Sequence, residues 1–196
     1  MKILFRLYVY YEKITDKIPV NSSISLISRI VFSLVLFNYY LGSFSTKFEV
    51  GPGLDFSLTS GAFAQILPDI ADKFQYNVDA IPFFPWHIIV ASGTIAELTL
   101  PLMIVAGFMT RLSALAMLFF VAVQTFVDIY FHGAEAGRLF NGLSGELIDQ
   151  RLLWEFLIGI LALVGGGKIS VDHLLRNKFG KIMDVHVERN ENGPFR

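Results

Sequence analysis

The chain contains no cysteine. That removes disulfides, thiol–disulfide exchange, thiolate-bound zinc and cysteine-ligated iron–sulfur clusters from its own chemistry. Any redox role must use a bound cofactor or a partner. Charge is also scarce: 17% of residues are charged and the formal net charge is −1. Whole-chain electrostatics therefore gives no basis for binding nucleic acid or a strongly acidic substrate. No nucleophile elbow, phosphate loop or dinucleotide fingerprint occurs in a suitable setting, and no histidines pair at i, i+4 as metal ligands. Gly51-Pro52-Gly53 reads as a turn. Internal repeats and low-complexity segments are lacking too.

Apolar residues fill the space. They make up 54% of the 196 residues and raise the mean hydropathy to +0.55, which shifts the chain from the soluble towards the membrane class. The expected fold is all-α, an integral membrane four-transmembrane-helix bundle embedded in the lipid bilayer. The spans fall at about 24–44, 86–109, 112–131 and 152–166. Spans two and three form an antiparallel hairpin, because only a very short connection at Arg111 separates them. The fourth span stops at Gly165-Gly166-Gly167.

The flanks read differently. In residues 1–23, Ile3, Leu7, Tyr11, Ile14 and Ile18 recur at helical spacing among Lys2, Arg6, Lys13 and Lys17. This suits an amphipathic interfacial helix or a solvated lead-in, and without a small-residue cleavage site it does not read as a secretory signal. The loop over 45–85 is too apolar for a free linker, with Phe56, Leu58, Phe63, Ile66, Leu67, Ile70 and Phe74. It reads as short helices resting on the bundle's outer end. Within 168–196, Ser170 is placed to cap a second interfacial helix, and a polar tail begins at Asp184.

Basic residues set an orientation. Lys2, Arg6, Lys13, Lys17, Arg111, Lys168, Arg176, Lys178, Lys181 and Arg189 fall on one side of the four-span arrangement, so the positive-inside rule puts both termini in the cytoplasm. Tyr39, Tyr40, Trp86, Tyr130 and Trp154 mark the opposite boundary.

Glu97 is the most informative residue. Helical rise from Trp86 puts it about 16 Å deep, near the midplane, where a carboxylate must face the interior and be paired or neutral. Pro101 frees the carbonyl of Glu97 itself, and Gly93 shares that face at i, i+4 spacing. Two roles stay open: a proton-handling or ligand-binding carboxyl, or a buried ion pair with Arg29 that fixes spans one and two. Nearer the outer surface, Gln124, Asp128 and His132 form a stripe on span three, with His87 and Glu155 at similar depth. We read this group as a hydrogen-bonded polar cap rather than a metal site.

Ile95-Ala96-Glu97-Leu98 through Gly107-Phe108-Met109-Thr110-Arg111-Leu112, together with Gly165-Gly166-Gly167-Lys168-Ile169-Ser170-Val171-Asp172, resembles the DoxX family. Arg29 and Glu155 fall where that pattern places an Arg and a Glu. The resemblance covers roughly residues 25–175. It implies a multi-pass protein of the bacterial inner membrane, working with other protein subunits, and a link to quinone-dependent or thiol-redox complexes. Without cysteine, quinone contact or complex assembly is left. Glu97 then becomes the candidate catalytic carboxyl, and Arg29, His87, Gly93, Gln124, Asp128 and Glu155 the candidate cofactor-binding residues. The alternatives are a non-catalytic anchor for a soluble enzyme and, with less support, a small-solute or proton transporter.

Overall fold

The computed structural model describes residues 20–50, 56–135, 150–175 and 177–178. Almost all of the amphipathic lead-in, the 136–149 stretch of the third connection and the polar tail lie outside the described residues. The first helical column comprises α1 (Val20–Phe32), a π-helical turn (Ser33–Phe37) and α2 (Asn38–Ser45). A two-stranded antiparallel hairpin follows, β1 (Phe48–Val50) with β2 (Phe56–Leu58), then α3 (Ser60–Ile66), α4 (Pro68–Lys73) and a single 3-10 turn (Val78–Ala80). A kinked lead-in (Phe83–His87), with Phe84 in extended conformation, runs into α5 (Ile88–Ala106), followed by α6 (Thr110–Tyr130) and α7 (Gln150–Val164).

Among the described residues, three helices are long and apolar enough to cross a membrane: Asn21–Ser45, Phe83–Ala106 and Thr110–Tyr130. α2 packs on α5, α5 on α6, α6 on α7 and α7 on α1, which closes the columns into a bundle. Its centre is apolar, with Phe32, Leu36, Ile104, Met117, Val121, Ile158 and Leu161 all fully buried. Leu34, Phe119, Phe156 and Leu163 point outwards and are largely exposed, as side chains facing lipid tails would be.

The excursion between α2 and α5 caps one end of the bundle. Ala62, Phe63, Ala71 and Ile81 close over Val90, with Ile66, Leu67, Ile70, Phe74 and Trp86 around them. The apolar loop therefore does rest on the bundle as short helices. The β-hairpin is an addition to the all-α expectation. We call this end the capped end and the opposite one the turn end.

At the turn end α5 stops on Gly107, whose φ of +70° continues the chain in the left-handed region. The Phe108 amide donates to Met103 O at 2.9 Å, which closes the helix in a Schellman arrangement. A Cβ on Gly107 would lie 2.6 Å from Ser170 Cβ and 2.9 Å from Arg29 Cζ. Gly107→Ala should therefore cost about 2–5 kcal/mol from backbone strain and overpacking together. Thermal unfolding in micelles checks this, and an alanine variant as stable as the parent would contradict the tight fit.

Candidate functional site

The polar groups of the bundle gather in two places, one at each end. At the turn end, Asp172 accepts from the amides of Met109 (2.6 Å) and Thr110 (2.8 Å) and from Thr110 Oγ1 (2.8 Å). It thereby caps the start of α6, where donors are unsatisfied and the helix dipole favours an anion. Its own amide donates to Gly107 O at 2.9 Å. Ser170 Oγ accepts from the His173 amide at 3.1 Å and caps the helical turn over 171–175. Arg29 lies beneath. Its Nε donates to Ile104 O at 3.1 Å and its Nη1 to Gly166 O at 3.2 Å, with further bonds to the carbonyls of Ile169 and Val105. Gly166 leaves room for this, since a Cβ there would meet Thr110 Oγ1 at 2.7 Å. These interactions tie the 165–172 segment to the α5–α6 turn and to span one.

At the capped end, α2, α5 and α6 diverge around a cavity of about 830 Å³. Its deep wall carries Lys47 and Glu97, which are 1% and 6% exposed. Lys47 Nζ donates to both carboxylate oxygens of Glu97 at 2.7 Å and to Ser43 Oγ at 2.6 Å. Each charge thus has its counter-charge, as burial in a low-dielectric interior requires. Gln124 bridges two phenols: Tyr40 donates to Oε1, and Nε2 donates to Tyr39, each at 3.0 Å. Nearer the mouth, Asp128 accepts from Arg151 at 2.8 Å, and His132 Nε2 lies 3.3 Å from Gln65 O. Gln65 and Ile66 of α3 roof the space, and a Cβ at Gly93 would sit 3.3 Å from Ile66 Cδ1. The lining continues onto Ile89, Phe119 and Val123, which are exposed on the bundle's flank. The cavity is therefore open sideways between α5 and α6.

Glu97 in α5, the Gly107–Arg111 turn and Arg29 in α1 all lie within the stretch that a family comparison covers. The DoxX family model matches residues 24–133. The chain is a member of the DoxX family. Searches among curated proteins and solved structures return no match. The matched stretch includes Arg29, Lys47, Glu97, Gly107 and Thr110 and ends before Gly165. It establishes a predominantly helical membrane protein.

In this DoxX protein the cavity brings together Glu97, Gly93, Gln124, Asp128 and His132 from the sequence reading. His87 is elsewhere, with its ring against Phe63 and Phe83 and beside a second groove that includes Asp79. Glu155, half-buried on α7, does not line the cavity. Among the described residues, no three His, Asp or Glu side chains converge as a metal site.

The Glu97–Arg29 ion pair is overturned. Arg29 serves backbone carbonyls at the turn end, and the partner of Glu97 is Lys47. A helical side chain leans towards its helix's N-terminus. Span one runs from the turn end to the capped end, so Arg29 leans away from Glu97. Lys47, just beyond α2, reaches back past Ser43 into the bundle. The signal for it in the sequence is a lysine directly after an apolar span, opposite a midplane carboxylate that needs a counter-charge.

Proposed function

We propose that this DoxX protein is the membrane subunit of a quinone-linked oxidoreductase, with α7 as a fourth span and both termini on the cytoplasmic side of a bacterial inner membrane. One observation carries the reading: the cavity opens from the lipid-facing flank and ends on a buried Lys47–Glu97 pair. A ligand dissolved in the bilayer can enter there without crossing water. About 830 Å³ falls within the range of small-molecule sites, roughly 300–1,000 Å³. The lining suits a flat ring with two polar edges and an apolar tail. Gly93 and Ile66 border the ring, Phe119 and Val123 border the tail's exit, and Lys47, Ser43, Tyr39 and Gln124 offer hydrogen bonds.

A bound quinone would couple electron transfer to proton uptake and release. In this reading Lys47 orients the oxygen nearest it, and Glu97, already hydrogen-bonded, holds or accepts the proton exchanged at that oxygen. The roof formed by α3 limits water at the ring. Without cysteine in this chain, a thiol-based electron donor would belong to another subunit.

A photoreactive quinone analogue should label peptides within 38–47, 89–97 and 119–128, and unlabelled quinone should compete. Glu97→Gln should weaken labelling while the protein remains folded. If no saturable labelling occurs at any pH, the quinone reading fails. Should Glu97→Gln also leave turnover of an intact complex unchanged, the protein is an anchor for a soluble enzyme.

A further inference from the structure

We infer that the Lys47–Glu97 pair exchanges protons with one compartment alone, the one facing the capped end. The inference deepens the reading above, because it assigns a side to the protons handled at that site, but it rests on the cavity and not on the cavity's ligand.

Towards the capped end the route is polar. Gln124, Asp128 and His132 follow one another at i, i+4 and i+8 on α6 and all line the cavity. Helical rise spreads them over about 12 Å from the deep wall to the mouth. Tyr39, Ser43 and Thr46 face them from span one, and Arg151 of α7 holds Asp128. Tyr40 donates into the same network through Gln124. Waters need several polar partners to occupy such a space, and this wall supplies them at each level.

Towards the turn end the route is closed twice. Phe32, Leu36, Met117, Val121, Ile158 and Leu161 are fully buried and belong to one apolar cluster with Tyr40 and Ile104. From Leu36 to Arg29 this layer is about 10 Å thick. Arg29 then forms the second barrier. Its fixed positive charge, held by four backbone carbonyls, opposes hydronium as an arginine does in other selective pores.

The cysteine-free chain allows a direct test with single cysteines and a charged, membrane-impermeant thiosulfonate applied to one side of sealed vesicles. Gly42→Cys is the main probe, because it lines the cavity and a Cβ there meets nothing within 4 Å. Gln124→Cys is a second probe. Lys73→Cys on α4 and Lys168→Cys at the turn end report which side the reagent reaches. Gly42→Cys and Gln124→Cys should be modified whenever Lys73→Cys is and lose that reaction when only Lys168→Cys is reached. Ile104→Cys should resist from both sides. A pH-sensitive dye attached at Gly42→Cys should follow the pH of the Lys73 side and ignore the other. Modification of Gly42→Cys or Ile104→Cys from the Lys168 side would overturn the inference, as would a Gly42→Cys unreactive from both. Failure of quinone photolabelling would leave this pattern intact, so the two proposals fail separately.

Discussion

Lys47→Met should lower stability by about 3–5 kcal/mol, the loss associated with stranding one member of a buried ion pair. The lost Coulomb attraction is only part of the cause. Glu97 would keep a carboxylate that is only 6% exposed without the two hydrogen bonds that Lys47 Nζ now donates to it. The double variant Lys47→Met/Glu97→Gln should recover much of the loss, because an amide carries no charge into the interior. Unfolding in mixed micelles, run as a double-mutant cycle, gives the coupling. A Lys47→Met variant within about 1 kcal/mol of the parent would mean that the pair is solvated and that the cavity is wetter than its burial implies.

Arg29→Lys should be nearly as damaging at the other end, although it keeps the charge. The guanidinium reaches Ile104 and Val105 on one side and Gly166 and Ile169 on the other. An ammonium is a compact point donor and cannot span both pairs. Leaving two carbonyls unpaired costs about 1–3 kcal/mol each, so the variant should lose about 2–6 kcal/mol in total. Impermeant labelling should then reach Ile104→Cys from the turn end as the seal loosens, while quinone-analogue labelling at the capped end persists. Loss of cavity labelling with the turn end still closed would show that Arg29 supports the deep site rather than the seal.

What the sequence made legible follows from the bilayer as solvent. Because an apolar run must bury its backbone in a helix, the first three spans and the hairpin through Arg111 could be read without a structure. Helical spacing put Glu97 with Gly93 in a deep group and Gln124 with Asp128 in an outer one, and only the structure brings the two groups into one cavity. The partner of Glu97 was not legible. Side-chain direction decides for Lys47 over Arg29, and direction becomes useful only when the polarity of each span is applied residue by residue. His87 was misplaced for a related reason: equal depth says nothing about which side of a helix a ring occupies, and packing of Phe63 from the excursion drew it away. The clamp by Asp172 across the Gly107–Thr110 turn joins segments more than sixty residues apart, a distance at which local pattern carries no information.

The sideways opening between α5 and α6, bordered by Phe119 at 72% exposure, changes what concentration means for any ligand that enters there. The reservoir is the lipid, so occupancy should scale with the ligand's mole fraction in the bilayer and stay almost unchanged when the aqueous volume is diluted at constant lipid. A weakly binding, strongly partitioning compound could therefore outcompete a better-fitting one that prefers water. Arrival would be a two-dimensional search, paced by the fluidity of the surrounding membrane.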